Sequence, residues 1–388
     1  MLRQVYRRLT NREIALRTLL TSLFLAALAT TASLPARAAS LEQMAGQMVL
    51  VGFQGNSVND PKVQGLIGEI AKGQIGGVMY LRTNVASLAA VKTMNAAFKA
   101  ANPALPVFIS LDQEGGAVQR LTSKVGFPEM SSAQDVAKAD TPAQAEAIYG
   151  KTAAELSDIG FNVNFGPVVD LNVNPNNPII GKYGRSFGTD PKQVAAYANA
   201  FIDAHHQNGV LTALKHFPGH GSSTADSHKG FVDISATWKP VELQPYKALI
   251  KDGDLDFVMV GHLYEKSHDA PGDKLQLPAS LSPVWIGKVL RGQLGYKGVV
   301  ISDDLEMGAI RDMFQPASND EIVRQTVVHA VEAGVNVLLF SDTAAYDPKL
   351  GAKVTAILVS EAKKDPAFEK RIEASYALIK ALKGKLKA

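Results

Sequence analysis

The sequence predicts a single α/β domain, an eight-stranded parallel (β/α)8 barrel of the TIM type, over residues 39–388. Eight short apolar runs rich in β-branched residues recur along the chain, and eight strands are what close such a barrel. Amphipathic segments of helical length separate the runs. Polar residues directly follow several runs, and the carboxyl ends of barrel strands share the face that carries an active site. A doubly wound open sheet is the alternative, but no G-x-G-x-x-G fingerprint follows the first run.

Residues 1–38 are predicted to be a signal peptide, so we expect a periplasmic or secreted protein. Its positive segment contains Arg3, Arg7, Arg8, Arg12 and Arg17. The apolar run at 19–29 that follows is well short of the ~20 residues that a membrane span needs. Ala36 and Ala38 suit cleavage after Ala38. An uncleaved anchor is the alternative.

Composition limits the possible partners of the remaining chain. The sequence contains no cysteine, which excludes disulfides and thiolate metal ligands. Residues 39–388 carry 34 basic residues (Lys and Arg) against 36 acidic ones. Because this balance leaves no basic footprint, we expect no nucleic-acid partner. The sequence does not indicate an oligomeric state.

The predicted strands, in chain order, are Met48–Phe53, Gly77–Leu81, Val107–Leu111, Val163–Val169, Leu211–Leu214, Phe257–Val260, Val299–Ser302 and Val335–Phe340. The predicted helices between them include Val85–Lys99, Pro142–Ile159, Pro191–Asn208, Ile286–Leu294 and Asp320–Ala333. Polar residues end five strands: Asp112, Lys215 and His216, His262, Asp303 and Asp304, and Ser341 and Asp342. A single one can be a helix cap, but five strands with this feature indicate a site.

The segment from Lys215 to His228 combines three histidines with Asp226 in a loop rich in Gly, Ser and Thr. Either the histidines bind a divalent metal, or Asp226 orients His228 for proton exchange. A metal site fits poorly, because Pro218 disfavours the helix that the spacing of His216 and His220 would need, and the first strand supplies no ligand. A purely structural loop is the third possibility. Three glycines would let the loop move: Gly219, Gly221 and Gly230.

Three further features could contribute to the site. Asp303 and Asp304 close the seventh strand, where one carboxylate could act as a nucleophile and the other as a helix cap. Strand alternation does not decide between them. Asp112 and Arg120 flank a glycine turn and could bind a polyhydroxylated ligand, although a salt bridge explains them equally well. Arg185 lies in a Gly-Arg-Ser-Phe-Gly segment that is unspecific by itself.

Together these segments resemble glycoside hydrolase family 3, and within it the single-domain β-N-acetylhexosaminidases of the NagZ type. The resemblance runs from about Leu41 to Phe340, with the motifs in family order. The segment from Lys215 to His228 is the specific one, because the family's β-glucosidases carry their acid/base on another domain and are much longer.

The resemblance implies that Asp303 is the nucleophile, His228 the general acid/base and Asp226 the partner of His228. It also implies that five residues bind the sugar hydroxyls: Asp112, Arg120, Arg185, Lys215 and His216. The implied reaction is retaining hydrolysis that releases non-reducing N-acetylglucosamine from peptidoglycan fragments or chitooligosaccharides, through a covalent aspartyl intermediate. No metal or organic cofactor is implied. The alternatives are a β-glucosidase, an N-acetylglucosaminide phosphorylase, a metal-dependent barrel hydrolase and a sugar-binding protein without catalysis.

Overall fold

Eight parallel strands follow one another around a barrel in the computed structural model, which describes residues 39–102, 104–269 and 275–386. The strands are β1 (Val49–Gly52), β2 (Gly77–Tyr80), β3 (Phe108–Leu111), β4 (Val163–Asn164), β5 (Leu211–Phe217), β6 (Phe257–Val260), β7 (Val299–Ser302) and β8 (Leu338–Phe340). Each strand from β1 to β7 pairs with the next, and β8 pairs with β1. A parallel bridge between Ile301 and Val337 links β7 to the start of β8. The predicted (β/α)8 barrel is therefore confirmed, whereas the predicted signal peptide lies outside the described residues.

Helices alternate with the strands, and the five predicted ones match within three residues at each end. The α-helices are Leu41–Gln47, Pro61–Ala71, Leu88–Ala101, Ala133–Ala139, Pro142–Asp158, Pro191–Gln207, Gln244–Asp252, Gly308–Arg311, Asn319–Ala333, Leu350–Lys364 and Pro366–Lys383. Thr141 and Gln144 form a capping box at one helix start, and Gly334 in the left-handed conformation ends another helix. The segment Val284–Gln293, predicted as an ordinary helix, is a π-helix. In the described part of the chain, no helix is long and apolar enough to cross a membrane.

Two strands differ from their predicted bounds in ways that affect the site. β5 continues to Phe217, so Lys215 and His216 lie within the strand and not after it. β4 ends at Asn164, whose carbonyl accepts the N–H of Gly166 at 2.9 Å, and a single bridge at Val168 resumes the pairing with β5. Asp170, two residues after this bridge, contacts His216 of β5.

The barrel interior is a packed core. Phe108 of β3 meets Phe257 of β6 edge to face, with ring centroids 5.3 Å apart, although two strands separate β3 from β6 in the sheet. Below them, the buried ammonium of Lys383 lies 4.6 Å from the Phe108 ring centroid. Lys383 donates hydrogen bonds to Gln47 Oε1 at 2.6 Å and to the Gly76 carbonyl at 2.8 Å. Side chains thus fill the amino-terminal end, as expected for such barrels, and the site forms at the carboxyl end.

Candidate active site

A cavity of about 330 Å³ opens at the carboxyl ends of the strands. Its lining includes seven of the eight residues that the sequence analysis selected: Asp112, Arg120, Arg185, Lys215, His216, His228 and Asp303. The eighth, Asp226, contacts His228. The structure therefore brings together side chains from the ends of β3, β5 and β7 and from the loops after β4 and β5.

A network of alternating charges forms one side of the cavity. Lys215 Nζ donates to Asp112 Oδ1 at 2.7 Å and to Glu114 Oε1 at 2.6 Å. Arg120 binds the other oxygen of Asp112 at 2.7 Å, and Arg185 binds Glu114 through two nitrogens, each at 2.8 Å. Every charge in this array therefore faces an opposite charge, which holds the donors and acceptors in fixed positions.

The same network keeps its members ionised. Burial raises the pKa of Glu114, but Arg185 and Lys215 outweigh it and lower the pKa to about 2. Burial likewise opposes ionisation of Asp112, yet Lys215 and Arg120 hold its pKa below the usual range. For Lys215, burial lowers the pKa and the two carboxylates raise it, with a net increase. A rigid array of charged donors and acceptors suits a ligand rich in hydroxyl groups, since each hydroxyl can donate and accept.

His216 connects this network to Asp170, a buried carboxylate in the loop after β4. Asp170 Oδ2 lies 2.7 Å from His216 Nδ1, and Asp170 Oδ1 accepts the His220 N–H at 2.7 Å. On the other side of the ring, His216 Nε2 lies 3.3 Å from Arg185 Nη2. Asp170 therefore fixes the orientation of the His216 ring beside the guanidinium.

Asp303 directly follows β7, and the residue is 8% exposed. Its Oδ1 accepts the N–H of Asp304 at 2.8 Å. Burial raises the pKa of Asp303, but the imidazole of His216, with smaller contributions from His228 and the Asp304 N–H, outweighs it, so the pKa lies below its ordinary value. Asp303 is therefore a carboxylate at neutral pH, the form that a nucleophile requires.

Asp304 has a different environment. Its Oδ1 accepts the N–H of Ser341 at 2.9 Å and that of Glu306 at 3.1 Å. Burial raises the pKa of Asp304 above its ordinary value. The side chain of Asp304 thus binds backbone N–H groups, which is the capping geometry that the sequence alone could not assign to one of the two aspartates.

His228 lies at the mouth of the cavity on the loop after β5. Its Nδ1 is 2.7 Å from Asp226 Oδ1, which also accepts the His228 N–H at 3.0 Å. Burial raises the pKa of Asp226, but these hydrogen bonds from His228 hold it below its ordinary value. A carboxylate at Nδ1 fixes the ring tautomer and leaves Nε2 to exchange a proton.

Backbone contacts hold this loop against the segment that follows Asp303. The carbonyl of His228 accepts the N–H of Gly308 at 3.2 Å, and that of Ser227 accepts the N–H of Ala309 at 3.1 Å. A Cβ at Gly221 would lie 1.6 Å from the Leu171 carbonyl oxygen. Gly221 is therefore required by close packing against the loop after β4, and not only by the loop movement that we expected of it.

The three histidines of the segment from Lys215 to His228 have different partners. Asp170 binds His216, Ser223 Oγ lies 2.7 Å from His220 Nδ1, and Asp226 binds His228. Burial, with His216 nearby, lowers the pKa of His220 to about 4. Within residues 39–102, 104–269 and 275–386, no group of three or more His, Asp or Glu side chains is arranged to hold a metal ion.

Sequence reasoning missed two carboxylates of the site and the role of one histidine. Asp170 directly follows the predicted strand Val163–Val169, so the strand-end criterion that selected the other residues would also have found it. Glu114 lies in the selected segment after β3, but nothing in the sequence pairs it with Arg185. His262 was noted as a strand end without a role.

The family model described as the glycosyl hydrolase family 3 N-terminal domain matches residues 40–378. Beta-hexosaminidase A of Pseudoalteromonas piscicida is 32% identical over 341 residues, which cover 82% of this chain and 54% of that one. The chain thus spans about half the length of that relative. A secreted glycosyl hydrolase of Arthroderma benhamiae is 33% identical, with 91% of this chain and 96% of that one covered.

A solved structure supports the same relationship. The crystal structure of a beta-N-acetylhexosaminidase from Beutenbergia cavernae superposes with a TM-score of 0.75 at 31% identity. The superposition covers 89% of this chain and 99% of that one. The similarity therefore extends over nearly the whole barrel.

Proposed function

The chain belongs to glycoside hydrolase family 3, and on that premise we propose that it is a retaining exo-β-N-acetylglucosaminidase. The observation that carries the proposal is that three groups meet at one cavity: the ionised Asp303, His228 with its partner Asp226, and the charged network around Lys215. The names of the similar proteins from Pseudoalteromonas piscicida and Beutenbergia cavernae support the N-acetylhexosamine as the sugar.

In the first step, the charged network holds the hydroxyl groups of the terminal sugar. Asp303 attacks the anomeric carbon, and the bond from that carbon to the leaving oxygen breaks. Because Oδ1 already accepts the Asp304 N–H, Oδ2 is the oxygen that forms the glycosyl ester. The protonated His228 donates its Nε2 proton to the leaving oxygen, and Asp226 stabilises the imidazolium until then.

In the second step, the neutral His228 removes a proton from a water molecule at Nε2. The water oxygen attacks the anomeric carbon on the face that the leaving group vacated, and Asp303 departs as a carboxylate. Two inversions give net retention of configuration. An imidazole next to Asp303 also avoids the like-charge repulsion that two carboxylates would impose.

The dimensions of the site support exo cleavage. A volume of about 330 Å³ is at the lower end of the range for small-molecule pockets, which suits one sugar ring and not several. The substrates that fit are peptidoglycan fragments or chitooligosaccharides ending in N-acetylglucosamine.

Export is part of the proposal. We infer that residues 1–38 direct the chain to the periplasm or the medium, with cleavage near Ala38. Two observations support this: the family match begins at residue 40, and a relative 33% identical is named as secreted.

The experiment that tests the proposal follows cleavage of an aryl β-N-acetylglucosaminide by proton NMR, with and without phosphate. The proposal requires β-N-acetylglucosamine as the first anomer released, at a rate that phosphate does not change. The α-anomer as first product would contradict the retaining mechanism. A sugar 1-phosphate formed in phosphate buffer would make the enzyme a phosphorylase.

A further inference from the structure

His262 is a buried histidine that the proposed mechanism does not use. It lies two residues beyond the end of β6 and is 1% exposed. Both ring nitrogens are engaged: Nε2 is 2.8 Å from the carbonyl oxygen of Asp304, and Nδ1 is 2.7 Å from Ser280 Oγ. Because His262 is almost completely buried and both its ring nitrogens are hydrogen-bonded, its ring is held in one position behind the residues that line the cavity.

The partners of His262 determine its tautomer. A carbonyl oxygen can only accept, so Nε2 carries the proton that His262 donates to Asp304. Nδ1 of a neutral ring then accepts the hydroxyl proton of Ser280, which is itself fully buried. Burial lowers the pKa of His262, which favours this neutral form at physiological pH.

The carbonyl that His262 holds belongs to the peptide between Asp304 and Leu305. The N–H of the same peptide donates to the Leu339 carbonyl of β8 at 2.9 Å. This peptide is therefore held from both neighbouring strands, by His262 on the β6 side and by Leu339 on the β8 side.

The position of the peptide determines the position of the nucleophile. The N–H of Asp304 orients the Asp303 carboxylate at 2.8 Å, and rotation about the Asp304 backbone would move that N–H. On the β8 side one further bond holds the turn, because the Ser341 N–H donates to Asp304 Oδ1 at 2.9 Å. On the β6 side, the Asp303 N–H donates to the Val260 carbonyl at 3.0 Å, and the side chain of His262 holds the Asp304 carbonyl.

We infer that His262 is a positioning residue, which aligns Asp303 for attack by holding the Asp304 carbonyl. This inference rests on the proposed function, because it assigns His262 to the covalent step of that reaction. His262 does not touch the sugar. Its loss should therefore slow the formation of the glycosyl-enzyme and leave the affinity for the sugar close to that of the wild type.

The test compares two variants in the rate of inactivation by a 5-fluoro N-acetylglucosaminyl fluoride, which forms the glycosyl-enzyme without fast turnover. This rate constant does not depend on how much of the sample is folded. His262→Leu removes the donor and should reduce the rate constant by about 10- to 100-fold, the size of effect that an approximately 1 Å misplacement produces. His262→Gln retains an N–H donor and should recover part of the loss. The inactivator concentration that gives the half-maximal rate should stay close to the wild-type value in both variants.

A control distinguishes positioning from general stability. His206→Leu removes a histidine near the amino-terminal end of β6, where Asp256 and Asp254 bind it at 2.6 and 3.0 Å. It should lower the melting temperature without changing the inactivation rate constant. A wild-type rate constant in His262→Leu would overturn the inference, as would a loss in His262→Gln as large as that in His262→Leu. If instead the wild-type enzyme is not labelled at all, the proposed function itself fails, and the inference about His262 fails with it.

Discussion

Nδ1 of His228 lies 2.7 Å from Oδ1 of Asp226, and the two side chains differ in exposure, 54% for the imidazole and 17% for the carboxylate. The imidazole is thus exposed at the cavity, while the carboxylate is sheltered. This arrangement suits the proposed roles, in which His228 exchanges the proton and Asp226 controls its tautomer.

The first prediction concerns how the cleavage rate depends on the leaving group of the substrate. Asp226→Asn should slow cleavage of substrates with poor leaving groups by about 10²–10⁴-fold, because an amide does not stabilise the imidazolium. Dinitrophenyl N-acetylglucosaminide needs little protonation, so its kcat/KM, which reports formation of the glycosyl-enzyme, should stay near that of the wild type. His228→Ala should show the same pattern. Equal losses on every leaving group, in a series of aryl glycosides, would show that the dyad does not transfer the proton.

The second prediction concerns the acetamide group. If buried polar groups hydrogen-bond the acetamide, the enzyme should prefer aryl β-N-acetylglucosaminide to aryl β-glucoside by up to about 10⁴–10⁵-fold in kcat/KM. If an apolar pocket merely holds its methyl group, the preference should be about 10–200-fold. Comparable kcat/KM on both glycosides would contradict the proposed specificity and favour a β-glucosidase.

The third prediction concerns pH and stability at the other end of the barrel. Burial lowers the pKa of Lys383 to about 7, against about 10.5 when the chain is unfolded. Between these values the unfolded chain binds more protons, so the free energy of unfolding should rise with pH. The cost of charging Lys383 is fully present below pH 7 and is lost as the pH approaches 10.5.

Lys383→Met should therefore flatten the rise in stability between pH 7 and 9, measured by urea unfolding. Lys380→Met, at an exposed position of the same helix, is the matched control and should retain the wild-type slope. Parallel pH profiles for wild type and Lys383→Met would mean that Lys383 stays charged in the folded protein.

The barrel and most of the site could be predicted from the sequence because both follow from local patterns. Apolar runs separated by helical segments gave the strand number, and polar residues after the runs gave Asp112 and Asp303. The pairing of Glu114 with Arg185 could not be predicted in this way. The two residues are 71 positions apart, and either could pair with many opposite charges. The extent of β5 was also missed, because Lys215 and His216 interrupt its apolar pattern although both side chains are buried in the charged network.

The fourth prediction concerns export. Mass spectrometry of the intact protein from the native envelope or medium should show a chain that begins near residue 39. Full-length protein in the cytosol would contradict the signal peptide. A full-length chain in the membrane fraction would instead indicate an uncleaved anchor.

The central claim is that Asp303 forms the covalent bond to the sugar, and peptide mapping after inactivation by a 5-fluoro N-acetylglucosaminyl fluoride tests it most directly. The account predicts one glycosyl adduct, on the peptide that contains Asp303 and Asp304, with fragmentation placing the sugar on Asp303. Asp304→Asn should still be labelled, because the Asp304 side chain caps backbone N–H groups. Asp303→Asn should not be labelled, and its turnover should fall by roughly three powers of ten or more. An adduct on Asp304, or wild-type turnover in Asp303→Asn, would contradict the account.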